Sequence, residues 1–205
     1  AIIIWRGAWT ARQGTLTFWA LNIGQGDALF IETPSQNQIL IDSGSSGKSI
    51  LNELGDVMPF YDKSIDLAIL THPHLDHVGG FPDVLKSYRV SAFVGSGDPD
   101  TLAEYKEMQK ILEEKDIPFY TARRGQKIIL DKNAWLEILH PVELVGSENI
   151  HRNMVVAMLH AGEKKFLLMG DAERVEEVFL IEHNGVALKS DILKAGHHGS
   201  KTSSF

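Results

Sequence analysis

The chain has 205 residues, of which 43% are hydrophobic and 23% charged, and these values are typical of a globular protein and exclude an intrinsically disordered one. The formal net charge of −7 argues against a broad basic surface for nucleic acid, so a phosphate substrate would have to be held locally, by metal or by a few cations. The absence of cysteine excludes disulfide frameworks and thiolate zinc sites, and no apolar run reaches the length of a membrane span.

The first residues, AIIIW at 1–5, are apolar from position 1, and Arg6 and Arg12 follow them. Two interpretations stay open for this segment: it is the remnant of a membrane helix, or it is a first β-strand. We treat residues 1–14 as a linker or the remnant of such a helix, which would give the protein a membrane tether before residue 1. Residues 15–205 then form one domain, because a chain of this length can bury a single core.

Strands and turns alternate at the start of this domain. Turn signals at intervals of about 8 to 12 residues predict a meander of three strands, over 15–23, 27–33 and 38–42. Apolar side chains on one helical face indicate a helix over 49–58. The nearly continuous apolar run over 65–72 is typical of a strand that is buried on both sides.

The rest of the chain continues this alternation. In chain order we predict a helix over about 80–88, a strand over 90–95, a helix over about 100–115, strands over 119–122, 127–130, 135–139, 154–160 and 164–170, a helix over 173–183 and a strand over 191–198. Asp100 is expected to cap the second of these helices, and Asn184 and Gly185 to end the third. The pattern predicts sheets covered by helices, which is an α/β layered fold.

The stretch THPHLDHVGG, at 71–80, places three histidines and an aspartate in six positions: His72, His74, Asp76 and His77. It lies where the buried strand ends and a helix begins, which is where layered α/β folds place their chemistry. Neutral imidazole is the commonest metal ligand in proteins, and a carboxylate adds charge and oxygen. The first two histidines project to one side of an extended segment and can share one ion, whereas Asp76 and His77 follow a turn and can reach a second. The alternative interpretation is a polar loop of solvated histidines.

Further candidate ligands stand at other strand ends. Asp171 directly follows an apolar strand and is placed to bridge two metals, unless it only caps the next helix. His197 and His198 end the last strand, and we predict that one of them is a ligand. Asp42 ends the third strand and could orient a ligand histidine, although a plain turn aspartate before Gly44 is also compatible with the sequence.

In chain order Asp42, the HxHxDH stretch at 72–77, Asp171 and His197 resemble the metallo-β-lactamase superfamily of binuclear metallohydrolases. Five longer stretches are similar, more narrowly, to the extracytoplasmic hydrolase domain of ComEC-type DNA internalisation proteins: LNIGQGDALFIETP, ILIDSG, LTHPHLDHVGG, FLLMGD and LKAGHHGSKTSS. The resemblance implies that 15–205 is a metallo-β-lactamase-like hydrolase domain, a four-layer αββα sandwich with two metals at the edge where its sheets meet. The family normally continues past this point with another helix and strands, which leaves a C-terminal truncation open.

The resemblance also implies a division of the ligands between two ions. One ion would be held by His72, His74 and a third histidine, the other by Asp76, His77 and His197, with Asp171 between them. For the third histidine we predict His151, which stands where the superfamily's third histidine motif falls, and His140 is its competitor. A hydroxide between the metals would be the nucleophile, and Asp76 and His198 are the predicted catalytic residues.

These residues predict a function as well as a site. Nitrogen and oxygen ligands without sulfur suit two divalent ions, zinc or manganese. Phosphodiesters are the natural substrate, because the metals neutralise charge that an acidic protein otherwise could not. Ser200, Lys201 and Thr202 could add donors for a phosphate, or be a solvated polar tail.

Together with the resemblance, this predicts a phosphodiesterase or nuclease that acts on DNA in competence-type uptake. It would work outside the cytoplasmic membrane, either anchored to it or secreted. The alternatives are a hydrolase of another ester, such as phosphorylcholine, a lactone or a β-lactam, and a catalytically inactive metal-binding scaffold. The identity of the substrate depends on pocket loops that a fold does not specify.

Overall fold

The computed structural model describes residues 14–142 and 153–203. The predicted linker or membrane-helix remnant at 1–14 lies outside these residues except for its last position, and so does His151. Within the two described ranges, no helix has both the length and the apolar composition needed to cross a membrane.

The first half of the chain builds a six-stranded sheet. Its strands and a short accessory pair are β1 (Thr17–Ala20), β2 (Leu29–Glu32), β3 (Gln38–Ile41), β4 (Ser64–Ile65), β5 (Leu67–Leu70), β6 (Arg89–Val90), β7 (Phe93–Gly95) and β8 (Phe119–Thr121). The spatial order in the large sheet is β1-β2-β3-β5-β7-β8, and β4 pairs with β6. The first three strands are antiparallel, as the predicted meander requires, and the sheet is parallel from β3 onwards.

Helices cover one face of this sheet. The helices of the first half are α1 (Gly47–Val57), α2 (Leu75–Val78), α3 (Phe81–Ser87) and α4 (Ala103–Glu114). Apolar residues of α1, α3 and α4 pack in one core with Phe30, Leu40 and Ala68 of the sheet, because their helical spacing places them on a common face.

The prediction that Asp100 caps α4, the helix predicted over about 100–115, is wrong. The helix begins at Ala103, three positions after Asp100, and Asp100 instead accepts a hydrogen bond from the Leu102 backbone at 2.7 Å.

The second half builds a five-stranded sheet. Its strands are β9 (Lys127–Asp131), β10 (Ala134–His140), β11 (Val156–Ala161), β12 (Lys164–Leu168) and β13 (Ile192–Lys194), in the spatial order β13-β12-β11-β10-β9, and α5 (Arg174–Asn184) covers its outer face. Alternate side chains of the two sheets meet in a second core, which includes Ile39, Ile69, Leu136 and Leu159. The layers therefore run helix, sheet, sheet, helix, and the predicted αββα sandwich is confirmed.

The predicted last strand is shorter than the sequence suggests. β13 ends at Lys194, and Gly196–Gly199 form a tight turn in which His197 and His198 adopt left-handed backbone angles, with φ of 43° and 53°. Gly196, at the start of the turn, packs so closely that a Cβ there would overlap the carbonyl oxygen of Ala172. Because of this turn, the two imidazoles do not alternate as on a strand, and their ring centroids lie 6.0 Å apart at an interplanar angle of 62°.

Candidate metal centre

The polar residues that the sequence singled out lie at one edge of the sandwich, where strands of both sheets end. β3 and β5 of the first sheet lead into Asp42 and Thr71, and β12 of the second sheet leads into Asp171. The two sheets are joined here by a backbone hydrogen bond of 2.9 Å from the amide of Val155 to the carbonyl oxygen of Thr71. The edge is thus built from both sheets, which is why residues from distant parts of the chain can share one site.

The buried Asp42 holds the histidine-rich loop in place through contacts with Thr71 and His77. Its Oδ1 accepts a hydrogen bond from the Thr71 amide at 2.8 Å, and its Oδ2 accepts from the Thr71 hydroxyl at 2.8 Å and lies 2.9 Å from Nδ1 of His77. Burial raises the pKa of the Asp42 carboxyl, against the opposing pull of His77. Because Nδ1 of His77 is engaged by a carboxylate, the ring presents its Nε2 to the centre of the site.

The hydroxyl of Thr71 orients a second imidazole. Since it donates its hydrogen to Asp42, its oxygen accepts from Nδ1 of His72, which lies 3.0 Å away. The Nε2 atom of His72 then faces Asp171, at 3.7 Å from its Oδ2. One threonine and one aspartate therefore fix the orientation of both buried histidines.

Asp171 is the common neighbour of the imidazoles. Its Oδ2 lies 3.2 Å from Nε2 of His77, 3.7 Å from Nε2 of His72 and 3.5 Å from Nε2 of His198. Burial opposes ionisation of Asp171, but the hydrogen bond and the charge of His77, followed by His72 and His198, hold its pKa below the usual range. For His77, burial lowers the pKa, but Asp42 and Asp171 outweigh burial and raise the pKa to about 10.

The alternative that Asp171 caps the following helix is wrong. The N-cap of α5 is Glu173, whose backbone amide donates to the Glu176 side chain at 3.1 Å. The Oδ1 atom of Asp171 is buried and accepts no hydrogen bond from residues 14–142 or 153–203. A buried anionic oxygen with no donor is costly in a folded protein unless a cation satisfies it.

Two groups of side chains could each hold a metal ion. The first group is His72, His74 and Asp171, and the second group is Asp27, His77, Asp171 and His198. Within each group the potential ligand atoms lie within 4.8 Å of one another, and Asp171 belongs to both. All the donors are imidazole nitrogens or carboxylate oxygens, which suits divalent ions such as zinc. The described residues therefore fit two ions that share one carboxylate.

The structure brings together six of the residues predicted as ligands or catalytic residues: His72, His74, Asp76, His77, Asp171 and His198. Asp76 lies at the rim, with Oδ2 at 3.3 Å from Nε2 of His198 and Oδ1 at 3.9 Å from Nε2 of His77. The predicted contact of Asp42 with a ligand histidine is present. The resemblance assigned the ligand role at the end of the last strand to His197, but the structure places the neighbouring His198 at the site, with its Nε2 at 3.5 Å from Oδ2 of Asp171.

Two other predicted candidates lie apart from both groups. Nδ1 of His197 lies 2.9 Å from Oε1 of Glu173, because the turn at Gly196–Gly199 directs the rings of His197 and His198 to different neighbours. Nδ1 of His140 donates to the carbonyl oxygen of Met154 at 2.9 Å, and its ring packs edge-on against Phe179 of α5. Burial lowers the pKa of His140, as expected for a neutral core histidine. The competing candidate, His151, lies outside the described residues.

The candidate phosphate donors follow directly after His198 in the chain. Lys201 and Thr202 are exposed and Ser200 is partly exposed. The Thr202 hydroxyl donates to Oε1 of Glu173 at 2.9 Å and lies 3.0 Å from the hydroxyl of Ser200. Thr202 is therefore engaged in supporting the turn that carries His197.

Asp27 and Lys194 belong to this site but were not among the predicted residues. Oδ1 of Asp27 lies 3.3 Å from Nδ1 of His198, and Nζ of Lys194 contacts Oδ2 of Asp27 at 2.5 Å. A signal was present in the sequence, because Asp27 is the aspartate of GQGD. In the sequence analysis that stretch contributed only to the similarity with ComEC-type proteins. No local sequence pattern indicates that a residue just before β2 contacts a strand of the second sheet.

Comparison with known proteins decides the family. Residues 21–205 match the model of the metallo-beta-lactamase superfamily. The chain belongs to this superfamily. Proteins of the superfamily are usually metal-dependent hydrolases and typically bind two metal ions, in agreement with the two groups at the sheet edge.

The predicted similarity to ComEC-type proteins is confirmed. The chain is 29% identical to ComE operon protein 3 of Bacillus subtilis over 89% of its own length, and 29% identical to Recombination protein 2 of Haemophilus influenzae, again over 89%. A shorter match, 26% identical over 42% of the chain and 31% of the relative, is to Exodeoxyribonuclease WalJ of Streptococcus pneumoniae. The chain spans only 25% and 21% of the length of the first two relatives.

Solved structures agree on the fold. The metallo-beta-lactamase fold protein YhfI from Bacillus subtilis superposes with a TM-score of 0.58, covering 87% of this chain and 69% of YhfI, at 15% sequence identity. At that identity the likeness concerns the arrangement of layers and strands. It supports the four-layer architecture independently of the sequence motifs.

Proposed function

We propose that this superfamily member is a metal-dependent phosphodiesterase that cleaves DNA. The observation that supports this most is the pair of ligand groups that share Asp171, because two neighbouring divalent ions are a recurrent solution for phosphodiester hydrolysis. The net charge of −7 adds a reason, since an acidic protein needs cations at the site to hold a phosphate.

The ligand sets of the proposal combine the contacts described above with the resemblance to the superfamily, which supplies His151. The first ion would be held by His72, His74 and His151, the second by Asp76, His77 and His198, with Asp171 shared. His198 takes the place that the resemblance assigned to His197, because its Nε2 lies within 3.5 Å of both Asp76 and Asp171. We propose zinc or manganese, which both accept a set of nitrogen and oxygen donors.

When bound, the two ions would supply Lewis acidity that activates water and neutralises the charge of a phosphodiester. The protein's own residues divide the remaining work. Asp42 and Thr71 hold the buried imidazoles in one tautomer, so that ligand atoms need not reorganise during turnover. Asp76 and His198, whose side chains are 28% and 29% exposed, face the opening where substrate arrives. Asp76 would orient the attacking water.

The choice of DNA as substrate rests on the relatives. Two of them carry the words recombination and exodeoxyribonuclease in their names, and an exodeoxyribonuclease hydrolyses DNA phosphodiesters. Of the three candidate phosphate donors, Lys201 is the best placed, since the Thr202 hydroxyl donates to Glu173 and the Ser200 hydroxyl then donates to Thr202. We assign Lys201 to the contact with the DNA backbone.

We further propose that the hydrolase domain, residues 15–205, works outside the cytoplasmic membrane in competence-type DNA uptake. Residues 1–14 would link it to a membrane tether, or the domain would be secreted. The support is the similarity to ComEC-type proteins, of whose length this chain spans 25% and 21% in the two matches. Protease added to intact cells should cleave the tagged domain, and complete protection would contradict this location.

One assay separates the proposed activity from its alternatives. Protein reconstituted with zinc or with manganese is incubated with end-labelled single-stranded DNA, double-stranded DNA, a chromogenic phosphodiester, a phosphorylcholine ester, a lactone and a chromogenic β-lactam. We expect cleavage of DNA and of the phosphodiester, and no reaction with the other three. The matched control is Glu107→Gln, which removes an exposed carboxylate that belongs to neither ligand group and should leave every rate unchanged.

The remaining outcomes contradict the proposal in different ways. Hydrolysis of the β-lactam, the lactone or the phosphorylcholine ester alone would assign the site to another ester. Two bound metals without any hydrolysis would indicate an inactive scaffold domain.

A further inference from the structure

Two carboxylate–imidazole pairs converge on one oxygen of Asp171. In the first, Nδ1 of His77 lies 2.9 Å from Asp42 and its Nε2 lies 3.2 Å from Oδ2 of Asp171. In the second, Nδ1 of His198 lies 3.3 Å from Asp27 and its Nε2 lies 3.5 Å from the same oxygen. In both pairs a carboxylate lies beside Nδ1 of the imidazole and Nε2 faces Asp171, although Asp42 comes from the end of β3 and Asp27 from the turn before β2.

The position of Asp27 is fixed by the backbone. Its amide donates to the carbonyl oxygen of Asp76 at 3.1 Å, and its own carbonyl oxygen accepts from the amide of Gly44 at 2.9 Å. The preceding residue, Gly26, has a φ of 102° and lies so close to Asp76 that a Cβ would overlap the Asp76 carbonyl oxygen. The backbone of the GQGD turn is therefore held against the histidine-rich loop, and the Asp27 side chain points towards the site, where it contacts His198 and Lys194.

Lys194 holds the other oxygen of this carboxylate. Its Nζ contacts Oδ2 of Asp27 and donates to the carbonyl oxygen of Gly170 at 2.9 Å, and both charged side chains are largely buried. This leaves Oδ1 of Asp27 directed at His198. A carboxylate with one oxygen on an ammonium and the other beside an imidazole Nδ1 is well suited to orient that imidazole and poorly suited to ligate a metal itself.

We propose that Asp27, held by Lys194, is a positioning residue that orients His198 as a ligand of the second metal. This rests on the proposed assignment of that metal, and it concerns affinity for the metal and not the identity of the substrate. The turn at Gly196–Gly199 gives His198 a left-handed backbone and a partly exposed ring, so its side chain has fewer packing restraints than the buried His77. The Asp27 carboxylate beside Nδ1 of His198 supplies the restraint that packing does not.

The test compares two double variants that differ only in the acceptor. Asp27→Asn with Lys194→Gln removes both charges but keeps an oxygen that can accept from His198, whereas Asp27→Ala with Lys194→Gln removes both charges and the acceptor. Local net charge is the same in the two proteins, so Coulomb effects on the metal cancel. The matched control replaces an exposed ion pair that belongs to neither ligand group, Lys86→Gln with Glu107→Ala.

Zinc binding to the metal-free proteins is measured by calorimetric titration, and folding by thermal denaturation. We expect the Asn variant to bind the second zinc within about threefold of wild type. The Ala variant should bind it about 10- to 100-fold more weakly, the range typical of losing a partner that orients a metal-ligating histidine. The first zinc should bind normally in both. In zinc-loaded protein the Nδ1 proton of His198, observed by NMR, should persist in the Asn variant and be lost to solvent exchange in the Ala variant.

Three results would overturn the inference. Equal affinities of the Asn and Ala variants, both near wild type, would show that Asp27 has no effect on the second metal. Equal loss of the second zinc in both would show that Asp27 is a direct ligand. A parallel loss of both zincs with a lowered melting temperature would show that the ion pair only stabilises the fold. Failure of the proposed hydrolase function would instead leave the zinc titrations intact and appear only as inactivity of the wild-type protein.

Discussion

Oδ2 of Asp171 lies 3.2 Å from Nε2 of His77, although 94 positions separate the two residues in the sequence. His77 follows the first sheet and Asp171 follows the second, so this contact exists only because the two sheets pack face to face and end at one edge. The same carboxylate belongs to both groups that could hold a metal. Its removal should therefore affect both ions at once.

We expect Asp171→Ala to abolish hydrolysis and to lower the zinc content from about two ions per chain to one or none. Helix α5 should keep its content by circular dichroism, because its N-cap is Glu173 and not Asp171. Elemental analysis and a phosphodiester assay check the two parts. Asp191→Ala, which removes an exposed aspartate paired with Lys164, is the matched control and should keep both metals. An active Asp171→Ala protein with full zinc would end the assignment of Asp171 as the shared ligand.

The third histidine of the first site is tested by two variants. His151→Ala should weaken zinc binding at that site by at least about tenfold, since the loss of a direct ligand exceeds the usual effect of an outer partner. His140→Ala should leave zinc binding unchanged but lower the free energy of unfolding by about 1–3 kcal/mol, because the Met154 carbonyl oxygen loses its buried donor. The reverse pattern, with zinc loss in the His140 variant, would transfer the ligand role to His140.

Asp42→Ala should be among the most destabilising substitutions at the site. It leaves three buried donors, two from Thr71 and one from His77, without their acceptor, and breaking such a buried charged network costs about 3–5 kcal/mol. Asp62→Ala is the matched control, because Asp62 also accepts three hydrogen bonds, from Ser64 and Gln38, but is only partly buried. Its loss should cost about 1 kcal/mol. Urea unfolding of the metal-free proteins measures both, and equal costs would show that burial of Asp42 has no energetic consequence.

Binding of DNA should depend on the metals and on few phosphate contacts. The logarithm of the affinity should fall with the logarithm of the salt concentration with a slope of about 2 or 3, since each neutralised phosphate contributes roughly 0.7 to 0.9. Removal of the metal with a chelator should abolish binding, and Lys201→Ala should lower the slope by about 1. Fluorescence anisotropy over a series of salt concentrations provides the measurement. Tight binding by metal-free protein with a steep slope would place the DNA on a different surface.

Local patterns in the sequence were sufficient for most of the fold. β5 illustrates why: Leu67 and Ile69 face the core between the sheets, Ala68 and Leu70 face the helices, and a strand buried on both sides must be apolar throughout. The prediction failed where two local interactions compete. Asp100 is a good capping residue, but its carboxylate accepts from the Leu102 backbone two residues later, and the helix begins only at Ala103.

Some parts of the candidate site could likewise be predicted from local sequence, and others could not. The sequence by itself determined that His72, His74, Asp76 and His77 lie in one loop at a strand end, because their spacing and the apolar run before them are local. The neighbourhood of His198 required the tertiary structure. His197 and His198 both adopt left-handed backbone angles in the turn after β13, and in this turn the ring of His198, and not that of His197, faces Asp171. Asp27 contacts His198 because the GQGD turn, which belongs to the first sheet, packs against the loop at 71–80 beside β13 of the second sheet. Periodicity along the chain does not encode a contact between two separate sheets, so only the tertiary structure could reveal it.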